Sequence, residues 1–161
     1  MRDEFDRDPE EFCRAVRAGE IAIDEEDFPS FMYPEQDYDE LDPVKNLMCA
    51  PILFTLAKVL YFGPASAESA TPSNAKPRGG RPPLNKQYKL DHCTPQMLAY
   101  LCLLVRFAFC ACSTWDEGTD NAFFGPAFYN NCLELLNNPK IGGPILEIWN
   151  RYVIRTSGHT Y

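Results

Sequence analysis

Five times along its length the chain sets a turn or capping residue, then a proline, then an apolar pattern of helical period. Proline suits the first position of a helix, because the N–H it lacks would find no partner there anyway. Asp8-Pro9 opens a short helix through Phe12, Val16 and Ala18, with Glu10 and Glu11 at the positive end of its dipole and Gly19 as the stop. Asp42-Pro43 opens a second. Pro51 restarts or kinks it before Ile52-Leu53-Phe54, and Gly63-Pro64 ends it after Tyr61-Phe62. Thr94-Pro95 opens a third, apolar nearly all round from Met97 to Cys112 and therefore expected at the centre. Gly125-Pro126 opens a fourth. Its stripe of Phe128, Cys132, Leu135 and Leu136 turns inward, while Asn130, Asn131, Glu134 and Asn137 face water. Gly143-Pro144 opens the last, with Ile145, Ile148, Trp149 and Tyr152 as its apolar face. Strand-like alternation is absent from every long segment. The pattern predicts an all-α fold, a single bundle of four to five helices.

At 161 residues the chain holds one domain with its own core. Its net charge of −8 hides a division. Residues 1–45 carry sixteen acids against five bases, a net of −11, and residues 46–161 carry seven against ten, a net of +3. The expected organisation is an acidic N-terminal segment over 1–41, a bundle domain over 42–62 and 91–155, and a disordered linker over 63–90 inserted between them. Within 20–41, Phe28, Phe31, Tyr33 and Tyr38 dot an acidic stretch that either wraps the bundle as a strap or stays mobile. Residues 63–90 are rich in Pro, Gly, Ser, Ala and Asn, a composition that cannot bury enough apolar surface to order itself.

That linker holds half of the bases found after residue 45, and Lys76-Pro77-Arg78-Gly79-Gly80-Arg81-Pro82-Pro83 resembles an AT-hook. Glycine lets an extended backbone sink into the narrow minor groove of A·T-rich DNA, where negative potential draws arginine in. Lysines such as Lys86 would add salt-dependent phosphate contacts. Arg78 and Arg81 are separated by one glycine more than in the motif, and the competing reading is a solubilising linker.

Arg106 lies mid-helix among Leu103, Leu104, Val105, Phe107 and Phe109. Burial there demands a partner. A core ion pair or a snorkelling side chain would supply one, and a buried anion-binding site is the functional alternative. His92, His159 and the seven cysteines include no Cys-x-x-Cys pair, so no metal site and no cofactor are expected. Neither histidine stands at a motif spacing from a serine or cysteine, and Gly79-Gly80, flanked by prolines, is expected to lead into no helix for ten residues, so the chain reads as no enzyme. Seven cysteines without a secreted-scaffold pattern, several inside apolar helical runs, read as reduced thiols. An acidic start without an apolar run reads as no secretory signal, and the expected location is intracellular, cytoplasmic or nuclear. The longest apolar run falls short of the roughly 20 residues of a membrane span, so no membrane partner is expected.

Leu60-Tyr61-Phe62-Gly63-Pro64 stands before a low-complexity stretch, and Thr94-Pro95 opens an apolar helix carrying Arg106-Phe107-Ala108. Trp115, the Phe128-Tyr129 helix and Trp149-Asn150-Arg151 follow. Together, over roughly residues 44–153, these elements resemble an uncharacterised helical domain family that is expanded in mushroom-forming (basidiomycete) fungi. The resemblance implies no activity, cofactor or catalytic residue. A well-patterned core without catalytic apparatus leads to the expectation of a non-catalytic protein-interaction module with a protein partner. The alternative is a weak, A·T-preferring DNA-binding accessory protein using the loop at 76–83.

Overall fold

The computed structural model describes residues 7–18, 20–21, 28–34, 38–39, 41–64, 82–109 and 124–154. The described residues are helical and contain no strand, as the all-α expectation required. In chain order they form α1 (Pro9–Arg17), a 3-10 turn (Ser30–Met32) and α2 (Pro51–Ala57), which continues as a π-helical turn (Lys58–Phe62). After these come α3 (Leu84–Tyr88), α4 (Pro95–Phe109), α5 (Gly125–Asn137) and α6 (Pro139–Trp149), the last continuing as a second π-helical turn (Asn150–Ile154). None of these helices is long and apolar enough to cross a membrane.

α4 is central. Thr94 caps it, its Oγ1 accepting a hydrogen bond from the Met97 N–H at 3.2 Å, with Pro95 in the first helical position. Leu98, Leu101, Cys102 and Val105 form one stripe of it at helical spacing, and all are buried. That stripe meets Phe128, Cys132 and Leu136 of α5, the inward stripe expected there. α5 in turn packs on α6, and α2 closes the other side of α4 through Leu53 and Ala57. α1 opens as expected, with the Asp8 carboxylate accepting from the Glu11 N–H, and it buries Ala15.

Several expectations are corrected. The last helix begins at Pro139 instead of at Gly143-Pro144. Asn138 caps it by accepting from the Lys140 N–H at 3.0 Å, and Pro139 takes the first position. The same grammar was written twice within six residues, and the first copy is the one used; Pro144 lies inside the helix on its exposed side. Gly142 has a structural task instead. A Cβ there would lie 1.9 Å from the Leu136 carbonyl oxygen, so α6 can double back on the end of α5 only with hydrogen at this position. Tyr152, expected on the apolar face, is 59% exposed.

Asp42-Pro43 opens no helix. Residues 43–48 are successive turns, closed by hydrogen bonds from Lys45 N–H to Asp42 O and from Leu47 N–H to Val44 O. Asn46 and Met48 take left-handed backbone angles (φ 55° and 59°). Asparagine tolerates this region and methionine rarely enters it. Met48 is held there by full burial and by the Trp149 indole, whose Nε1–H donates to the Met48 carbonyl at 2.9 Å. Trp149 also stacks on Phe54 at 4.5 Å between ring centroids, which joins α6 to α2.

The expected linker is shorter at its C-terminal end. Leu84–Tyr88 is helical, packs on the π-helical turn after α2, and brings Leu84 and Leu90 against the core. Residues 65–81 lie outside the described residues. In the acidic stretch, residues 28–34 pack on the bundle. Met32 is fully buried, Tyr33 is nearly so and donates to the Pro43 carbonyl at 2.7 Å, and Phe31 lies 5.8 Å from Phe109. The core therefore crosses the expected boundary at residue 41.

Candidate functional site

The second face of α4 is also largely apolar. Gln96, Tyr100 and Leu103 stand at i, i+4 and i+7, about half a turn away from the buried stripe, and Met97 sits between the two. This face lines an open groove of about 650 Å³. α5 forms the facing wall through Gly125, Pro126 and Tyr129, and Tyr61 on the π-helical turn closes the end. None of these eight lining side chains is charged.

Three elements thus bring three phenol rings together. Tyr61 is the anchored one. It is 8% exposed, and its hydroxyl donates to the Met97 carbonyl at 3.2 Å, pinning the π-helical turn to the first turn of α4. Burial raises its pKa well above the ordinary value, and the neighbouring Cys93 thiol and the Tyr100 and Tyr129 phenols add to the effect. Tyr61 is therefore a neutral donor at any physiological pH. Tyr129 is half-buried, and Tyr100 is 44% exposed. Their hydroxyls have no hydrogen-bond partner among the described residues.

Behind the groove, the Cys93 N–H donates to the Asn150 side-chain oxygen at 2.7 Å, tying the start of α4 to the end of α6. Burial pushes the Cys93 thiol up to about 12, so it stays protonated. Cys102 is pushed up in the same direction, first by burial and then by a hydrogen bond with the Cys132 thiol facing it. Thiols of this kind are poor nucleophiles and poor metal ligands. Among the described residues, no three His, Cys, Asp or Glu side chains are placed to hold a metal ion. His92 pairs with Asp91 at 2.5 Å, with both side chains exposed and outside the groove.

Lys76, Arg78, Gly79, Gly80 and Arg81 lie outside the described residues, as do Cys110, Cys112, Trp115 and His159. Lys86 is exposed on α3. Arg106 is 7% exposed, with its guanidinium 4.6 Å from the centre of the Phe128 ring on the core side of α4, away from the groove lining. The groove thus gathers none of the candidate site residues read from the sequence. Tyr61 and Tyr129 stand out there only as parts of helical elements, and Tyr100 reads as one more aromatic in an apolar run. One local signal was present: a helix apolar nearly all round has a face to spare once one stripe is packed.

No curated protein and no solved structure matches the chain. A family of unknown function, DUF6698, matches residues 1–154, and the chain belongs to that family.

Proposed function

We propose that this chain is a non-catalytic protein-interaction module whose partner docks in the groove between Tyr61, Tyr100 and Tyr129. The observation that carries the reading is the second apolar face of α4, left open and lined by tyrosines. Tyrosine is enriched where proteins meet, because it offers a large rigid surface and a polar tip at little cost in side-chain entropy. The protonated thiol behind Tyr61 and the uncharged lining favour binding over acid–base or nucleophilic chemistry. The free thiols of Cys13, Cys49, Cys93, Cys102 and Cys132 favour a reducing compartment, cytoplasmic or nuclear.

Selection of displayed random peptides on the intact chain tests this. The expected result is a consensus with apolar or aromatic anchors that binds the parent and fails to bind a Tyr100→Lys variant. Peptides enriched equally on both proteins would contradict the reading.

A DNA-binding role is the second reading, favoured by Lys86 and Lys89, which are exposed on and just after α3 and continue the basic sequence. Anisotropy with a short A·T-rich duplex should then show binding that falls with salt and needs Arg78 and Arg81. Binding that is blind to sequence, or unchanged in an Arg78→Ala/Arg81→Ala variant, removes this role.

A further inference from the structure

We infer that the groove is also a small-molecule site, taking an uncharged aromatic compound that carries a hydroxyl or carbonyl group. The inference depends on the groove alone and not on the identity of a protein partner.

Its volume of about 650 Å³ lies within the roughly 300–1,000 Å³ typical of small-molecule sites. The lining divides into two kinds of surface. Met97, Leu103 and Pro126 are apolar, and the faces of the three tyrosines are aromatic. Such walls favour a flat ring, which packs edge-to-face or offset against tyrosine and close to the methionine sulfur.

The polar groups are few and neutral. The Tyr61 hydroxyl is committed to the Met97 carbonyl and so acts as a fixed part of the floor. The Tyr100 and Tyr129 hydroxyls come from facing helices and have no hydrogen-bond partner among the described residues. Each can both donate and accept, so a ligand hydroxyl or carbonyl at the ring edge suits them. A carboxylate or an ammonium would give up part of its hydration shell without meeting an opposite charge among the described lining residues. Selectivity for a neutral molecule with a polar edge follows from that contrast.

The test titrates the full chain with 2-naphthol, naphthalene and 2-naphthoate, following ligand fluorescence. The expected result is saturable binding of 2-naphthol, several-fold weaker binding of naphthalene, and at least tenfold weaker binding of 2-naphthoate. Tyr100→Ala should weaken 2-naphthol at least tenfold. Tyr100→Phe combined with Tyr129→Phe keeps both rings, and it should bring 2-naphthol down to the level of naphthalene while leaving naphthalene unchanged. Circular dichroism of each variant should match the parent. No saturable binding, equal binding of all three compounds, or binding indifferent to Tyr100→Ala would each overturn the inference. A failed peptide selection would leave it standing, and failed naphthol binding would leave the peptide reading standing.

Discussion

Leu101 and Tyr100 are neighbours in α4, and they live in different worlds. Leu101 belongs to the stripe that meets α5 and is fully buried; Tyr100 belongs to the stripe on the opposite side of the helix and is 44% exposed. Both stripes are dominated by apolar atoms, so hydrophobicity alone does not separate them. Enclosure does. On the core side, α5 and α2 cover the helix and the Trp149 indole satisfies even a buried left-handed carbonyl at Met48. On the groove side, α5 approaches through Gly125 and Pro126, small or ring-closed residues that leave space. One face is closed by packing and the other is left open.

Breaking the core side should have the largest effect. Leu101→Ala should cost about 3 kcal/mol, the usual range for a fully buried leucine being about 2–5 kcal/mol. Urea unfolding would show it as a fall in midpoint at constant slope.

Gly142→Ala comes next, at roughly 2–3 kcal/mol, because the new methyl meets the Leu136 carbonyl and α5 and α6 must part. A variant as stable as the parent would mean that the α5–α6 turn is not built as described.

Trp149→Phe sharpens the comparison with a smaller loss. It keeps a ring against Phe54 and removes the donor to the Met48 carbonyl, for about 1–3 kcal/mol once the unpaired carbonyl is counted.

Near neutrality the effect of pH on these buried groups is smaller still. Burial raises the Cys93 thiol from 9.0 to about 12, and the Tyr33 phenol from 10.0 to about 12. For each, the neutral form is favoured in the folded chain. Their contributions are therefore complete below pH 9 and are lost as pH rises from there toward 12. Thermal melts across this range should hold level up to pH 9 and then decline. A profile that stays level from pH 9 to pH 10 would mean that the Cys93 thiol is not buried behind Tyr61, because a group with the same pKa folded and unfolded adds no pH dependence.

Much of the bundle was legible because caps and prolines act locally. Thr94-Pro95 and Asp8-Pro9 each satisfy an orphan N–H within three residues, so sequence alone locates those helix starts. The start of α6 was not decidable in that way. Asn138-Pro139 and Gly143-Pro144 carry the same local signal, and the choice between them is made by the fit of Gly142 on Leu136, a tertiary contact. The turns at 43–48 were invisible for a related reason. A left-handed methionine has no local preference for that shape and is held by a tryptophan 101 residues away. The groove is less legible again, since Tyr61, Tyr100 and Tyr129 meet only after three helices have packed. Local periodicity marked α4 as apolar on all sides, but which side stays open is decided by the shape of α5.

The most direct test measures stability and binding together on Tyr100→Ala. Urea unfolding and affinity for a peptide selected on the parent are read from the same preparation. The expected result is stability within about 0.5 kcal/mol of the parent, as for exposed positions generally, with binding lost. A loss of stability matching that of Leu101→Ala, or binding that survives, would show that the groove face is ordinary core or is not where the partner docks.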